Sequence, residues 1–118
     1  MNKYIVTIAL TSMLLPPSIS QAETAADNYK TYCMQCHGME GNGMGANIQD
    51  MSVQPRDHTD AKSMGGRTDV ELFKVIKEGG LAINKSSLMP PWDGTLTDDE
   101  IHELVQYLRK LCKCKHAS

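Results

Sequence analysis

Apolar and polar positions follow a helical rhythm in three stretches of the chain. Ile101, Leu104, Val105, Leu108 and Leu111 recur along one helix face, after the start signal Thr97-Asp98-Asp99-Glu100. In that signal a Thr side chain and a Glu three residues later each satisfy a free backbone N–H of the first turn. The first turn is acidic and the last carries Arg109 and Lys110, which suits the helix dipole at both ends. Thr68-Asp69-Val70-Glu71 repeats the signal before Leu72, Phe73, Val75 and Ile76, and Gly79-Gly80 stops that helix. Thr24-Ala25-Ala26-Asp27 opens a shorter helix through Tyr29, Tyr32 and Cys33. No segment alternates as a strand would. The pattern predicts an all-α protein with three main helices.

The segments between these helices have no periodicity. Gly38, Gly41, Gly43, Gly45, Gly65 and Gly66 punctuate one, and Met89-Pro90-Pro91-Trp92 lies in the other. Loops this long in a small domain usually wrap around something. At the start of the chain, Met1-Asn2-Lys3 precedes an apolar run from Tyr4 to Leu15, Pro16-Pro17 breaks it, and Ser20-Gln21-Ala22 offers small residues for cleavage. The run falls short of the ~20 residues a spanning helix needs. Residues 1–22 therefore read as a cleaved signal peptide and 23–118 as one exported domain, in the bacterial periplasm or an equivalent non-cytoplasmic compartment.

Composition narrows the choice. The chain has 118 residues, with 12 Lys and Arg against 14 Asp and Glu, for a net charge of -2. That excludes a multidomain enzyme, a polytopic membrane protein and a nucleic-acid binder driven by bulk charge. Aromatic residues make up only 5%, which leaves little to build a core, and the four Cys enter a compartment where thiols are oxidised or otherwise occupied.

Cys33-Met34-Gln35-Cys36-His37 is the pattern of covalent haem attachment. Two Cys three positions apart share one face of a helical turn, so both thiols can add to the porphyrin vinyl groups, and the next residue can point an imidazole at the iron. Other chemistries use the same thiols. A thioredoxin-like pair would follow a strand and precede a helix, whereas here a helix precedes the motif and a Gly-rich loop follows it. A zinc cage would join Cys33 and Cys36 to Cys112 and Cys114, and a disulfide would join Cys33 to Cys36. The adjoining His37, the signal peptide and the shortage of aromatics favour one haem c.

The Cys33 to Gly38 segment, the Met89-Pro90 loop and the terminal helices resemble, in that order, the class I c-type cytochromes. The resemblance implies the cytochrome c fold, with long loops wrapped around one covalently bound haem. It makes Cys33 and Cys36 the thioether anchors, His37 the proximal ligand and Met89 the distal one. It also implies that Tyr29 and Ala25 mark where the first helix crosses the last, near Leu104, Tyr107 and Leu108, although the family often has Gly at the Ala25 position. Met64 and His58 are rivals to Met89; Pro90 and Pro91, which stiffen its loop, favour Met89. In the family the other ring nitrogen of the iron-bound His donates to a Pro carbonyl, and Pro55 is the Pro of the loop after the motif. Arg56 and Trp92 carry two readings each: contacts to the haem propionates, or a solvated loop residue and plain core.

With two protein ligands on iron, the resemblance implies an outer-sphere electron carrier, not an enzyme, working between redox protein partners without nucleic acid or a membrane span. The alternatives are a haem c subunit of a larger redox enzyme and a sensing haem with a labile distal Met. The tail Cys112-Lys113-Cys114-Lys115-His116 fits least well. Its thiol spacing is one residue short of a second attachment motif. A local disulfide, a dimer through Cys112 and Cys114, a weak metal site with His116, and a frayed basic end all stand for it.

Overall fold

Three threonine caps decide where the main helices begin. A computed structural model of the protein describes residues 23–116, so the expected signal peptide lies outside the described residues. Thr24 caps α1 (Ala25–Tyr32) by accepting from the Asp27 N–H at 3.3 Å. Thr68 and Glu71 form a reciprocal box at the start of α4 (Asp69–Glu78), with Glu71 N–H donating to the Thr68 hydroxyl at 3.0 Å and Thr68 N–H to the Glu71 carboxylate at 2.9 Å. Thr97 and Glu100 repeat this arrangement at α5 (Asp98–Cys112). Each cap satisfies donors that the first turn leaves free.

Two short helices that the periodicity is too brief to show complete the set. The attachment motif itself is helical, as α2 (Met34–His37), and α3 (Ala61–Gly65) is capped by Asp60, whose carboxylate accepts from the Lys62 and Ser63 N–H groups. Single 3-10 turns cover Ile48–Asp50 and Gly80–Ile83. Among the described residues there is no strand, only an isolated bridge between Asp93 and Leu96.

α5 is the central element and packs against α1, α3 and α4. Its buried face presents Ile101, Leu104, Val105, Leu108 and Cys112. α1 contributes Tyr29, α3 Met64, and α4 Leu72 and Ile76. The expected crossing of α1 and α5 is present: the Tyr29 and Tyr107 rings lie 5.2 Å apart. Phe73 and Val75, read as core from spacing, are only partly buried. Asn28, buried beside Tyr29, has no side-chain hydrogen-bond partner.

The Gly-rich loop folds back on α2. Gly43 N–H donates to the His37 carbonyl at 2.8 Å and Gly45 N–H to that of Cys36 at 3.1 Å. A Cβ at Gly45 would overlap the Gln35 and Cys36 carbonyls, so no larger residue fits there. Gly79 ends α4 with φ 86°, in the left-handed region open to glycine, and its N–H reaches the Val75 carbonyl at 3.0 Å.

Candidate functional site

A cavity of about 750 Å³ opens between α2, α4, α5 and the two long loops. That size suits a bound cofactor, since such sites run ~300–1,000 Å³. Cys33, Cys36, His37, Pro55, Arg56, Met89 and Trp92 all line it. So do Leu72, Val75, Ile76, Leu104 and Leu108, which give it an apolar wall. Residues up to 79 apart in number, from Tyr29 to Leu108, thus share one space.

Local structure explains the thiol placement. Cys33 ends α1, and its carbonyl accepts from the Cys36 N–H at 3.2 Å and the His37 N–H at 2.9 Å, closing one turn. Both thiols are free and partly buried. Burial, with the neighbouring Cys36 adding to it, pushes the Cys33 thiol up to about 12. A thiol so far from ionisation is unlike the low-pKa nucleophile of a thioredoxin-type pair. The zinc cage also loses its other half, because Cys112 and Cys114 are bonded to each other.

His37 is held by one hydrogen bond, from Nδ1 to the backbone carbonyl of Arg56 at 3.0 Å. With Nδ1 as the donor, Nε2 keeps its lone pair for a metal. Burial lowers the affinity of the ring for a second proton, outweighing the opposing effect of the Arg56 carbonyl. The family-based expectation named Pro55 for this contact. The structure corrects it by one residue: the loop presents the Arg56 carbonyl to the ring, and Pro55 only lines the cavity and faces Gly43 through its own carbonyl. The Arg56 guanidinium meanwhile donates to the Ser63 hydroxyl. Trp92 packs against Tyr32, with ring centroids 5.0 Å apart and planes tilted by 51°, and it also lines the cavity.

Met89 reaches the cavity from a loop strapped to the end of α4. Its carbonyl accepts from Gly80 N–H at 2.9 Å, and Trp92 N–H donates to the Ile76 carbonyl at 3.0 Å. The other candidate ligands are placed differently. Met64 is fully buried in the core and does not line the cavity. Met39 and Met44 are 72% and 68% exposed. Met51 lines the cavity from the loop that follows His37, held locally by its N–H on the Ile48 carbonyl at 3.2 Å and by the Gln54 amide donating to its carbonyl at 3.3 Å.

His58 sits on the His37 side. Its ring stacks on that of His37 at 4.1 Å, and its Nδ1 is 3.1 Å from the Tyr29 hydroxyl. Burial first, then the neighbouring His37 and Arg56, drive its pKa well below the usual range, so it is neutral. It therefore buttresses the His37 ring and is not opposite it. Sequence reasoning treated His58 only as a rival ligand and missed this role, because a histidine in an aperiodic loop carries no signal of its neighbours. It read Arg109, which is 9% exposed, as part of a basic helix end and not as a buried residue. Arg109 lies four residues after Val105 on the buried face of α5, so helical spacing did hold that signal.

The chain is similar to known proteins. Residues 20–108 match the family profile described as cytochrome C oxidase, cbb3-type, subunit III. The chain belongs to this family of c-type cytochromes. No curated protein matches it. Among solved structures it is similar to the KustC0563 c-type cytochrome, at 25% identity and a TM-score of 0.60, over 75% of this chain and 98% of that one. It is also similar to a chain of the Kuenenia stuttgartiensis reducing HAO-like protein complex Kustc0457/Kustc0458, at 30% identity and a TM-score of 0.60, over 76% of this chain. There it covers 42% of the other chain, so it spans less than half of that relative. The cytochrome is thus an all-α protein with the cytochrome c fold and a haem c cofactor, and its domain type carries electrons between redox partners.

Proposed function

We propose that this cytochrome is an exported one-electron carrier with a single haem c, attached through Cys33 and Cys36 and ligated by His37 and Met89. The observation that carries this reading is the convergence of those four side chains on one apolar cavity. The group would supply an iron centre that cycles between two oxidation states. The chain's own residues do the rest. Cys33 and Cys36 anchor it at one edge. The Arg56 carbonyl fixes the tautomer of His37 and raises its basicity as a donor. A thioether from Met89 favours the reduced state and raises the potential above that of a two-histidine site. Leu72, Ile76, Leu104 and Leu108 keep water away from the ring. With His37 and Met89 both holding the group, no position would be left open for a substrate, and the activity would be outer-sphere transfer and not catalysis. The cleavable segment 1–22 and the two thioether bonds both suit a periplasmic setting.

The test is optical. The oxidised protein is expected to show the weak long-wavelength band of sulfur-to-iron ligation, and Met89→Ala to abolish it. A band that survives this substitution overturns the ligand assignment. Rapid carbon monoxide binding to the reduced wild-type protein would instead favour a labile distal Met and a sensing role.

A second reading, a haem c subunit within a larger redox assembly, is supported by the similarity to a chain of a multi-protein complex. A single stable partner recovered with the tagged protein from its host would favour it over a diffusing shuttle.

A further inference from the structure

The tail lies beyond the segment that matches the family profile, which stops at residue 108. Cys112, the last residue of α5, is joined to Cys114 across Lys113, whose φ of 51° turns the chain back over the helix end. This settles the tail against a disulfide-linked dimer through Cys112 and Cys114, since each thiol finds its partner within the chain. A metal site with His116 would need both sulfurs free. A bridge that closes so short a loop restricts the unfolded chain very little, so stability is a poor reason for it.

The two sulfurs occupy unlike places. Cys112 is 3% exposed and packed in the core, with Sγ 3.4 Å from the Arg109 carbonyl oxygen. Cys114 is only partly buried, with Sγ 3.8 Å from Arg109 Nη1. That guanidinium is fixed by Asp69 at 2.8 Å and by the Met64 carbonyl at 2.8 Å. The nearby carboxylates are engaged, Asp69 by Arg109 and Glu71 by Thr68 and Arg67, while Lys113 and Lys115 flank the bridge. An opened bridge would therefore find an acceptor waiting for a Cys112 thiol and a cation waiting for a Cys114 thiolate.

We propose that Cys112–Cys114 is a thiol–disulfide exchange site that takes two electrons from a dithiol partner protein. The partner's thiolate attacks the Sγ of Cys114, the less buried of the two cysteines, forming a mixed disulfide while the bond to Cys112 breaks. Cys112 leaves as a thiolate, takes a proton from water and donates to the Arg109 carbonyl. The partner's second thiol gives its proton to water and attacks the partner's own first sulfur, releasing Cys114 as a thiolate beside Arg109. The partner ends as a disulfide, two electrons poorer, and the tail ends as one thiol and one thiolate. Attack at Cys114 is the productive direction because exchange needs access, and a neighbouring cation stabilises thiolate.

The experiment uses the full-length, haem-loaded protein in dithiothreitol redox buffers at pH 7 without denaturant, with thiols trapped by maleimide mass tags. Opening and reclosing of the bridge should follow the buffer ratio while the helical circular dichroism stays constant. Limited tagging should mark Cys114 about tenfold or more over Cys112. Cys112→Ser should form a mixed disulfide with glutathione disulfide, and Cys114→Ser should not in the same time. A bridge that opens only in denaturant, equal tagging of the two sulfurs, or equal capture by the two variants would overturn the proposal.

Discussion

The two cysteine pairs of this chain have the same chemistry and opposite fates. Cys33 and Cys36 stand three residues apart on a helical turn, so their thiols face the same cavity and neither closes on the other. Cys112 and Cys114 stand two apart across the end of α5, where Lys113 leaves the helical path and brings the sulfurs together. One residue of spacing separates a pair directed at a third body from a pair directed at itself. The backbone makes this difference, since the helical turn holds residues i and i+3 on one face, while a left-handed residue at a helix end reverses the chain.

Substituting each pair breaks or sharpens that contrast most strongly. Cys33→Ser with Cys36→Ser is expected to abolish covalent attachment, so that haem extracts into acidified organic solvent and the protein mass falls by one haem. Cys112→Ser with Cys114→Ser should leave the haem attached and read by the same mass measurement. Loss of attachment from the second double variant would show that the pairs are not independent.

Next in size is the wall shared by core and cavity. Leu104 is 1% exposed and lines the cavity, so Leu104→Ala should cost ~2–5 kcal/mol in denaturant unfolding. A cost under ~1 kcal/mol would mean that the bound group, and not α5, holds that wall.

The tail side depends on Arg109. Asp69 pairs with it at 2.8 Å, with side chains 53% and 9% exposed respectively. Removing the carboxylate strands a nearly buried cation, though the half-exposed partner and the Met64 and Arg67 carbonyls that accept from Arg109 reduce the loss. Asp69→Asn should therefore cost ~1–2 kcal/mol, seen as a lower urea midpoint with an unchanged slope.

The smallest effect is in acid. Backbone N–H bonds from Thr68 and Thr97 hold the Glu71 and Glu100 carboxyls below their usual value of 4.5. Their anions are favoured in the folded state, so the contribution is complete above that value and fades as pH falls through the lowered ones. Thermal melts of Glu71→Gln with Glu100→Gln should show a flatter decline on acidification than the wild-type protein. A decline of equal slope would assign acid sensitivity to other groups.

Local rules carried far in this chain. Three Thr-led caps, the acidic and basic ends of α5 and the i, i+3, i+4 spacing located the main helices, because each depends on residues within one or two turns. The grouping of Cys33, Cys36 and His37 was legible for the same reason, being set by one turn of backbone. Distance in sequence hid the rest. Only the folded loop decides that the carbonyl on His37 belongs to Arg56 and not Pro55, because a small difference in its path moves a different oxygen to the ring. Only packing sends Met64 to the core, brings Met89 to the cavity and stacks His58 on His37. The tail shows the boundary most clearly. Its cysteines and lysines are plain in the sequence, but the unlike burial of the two cysteines, and the guanidinium between them and α4, come from contacts made across forty residues or more.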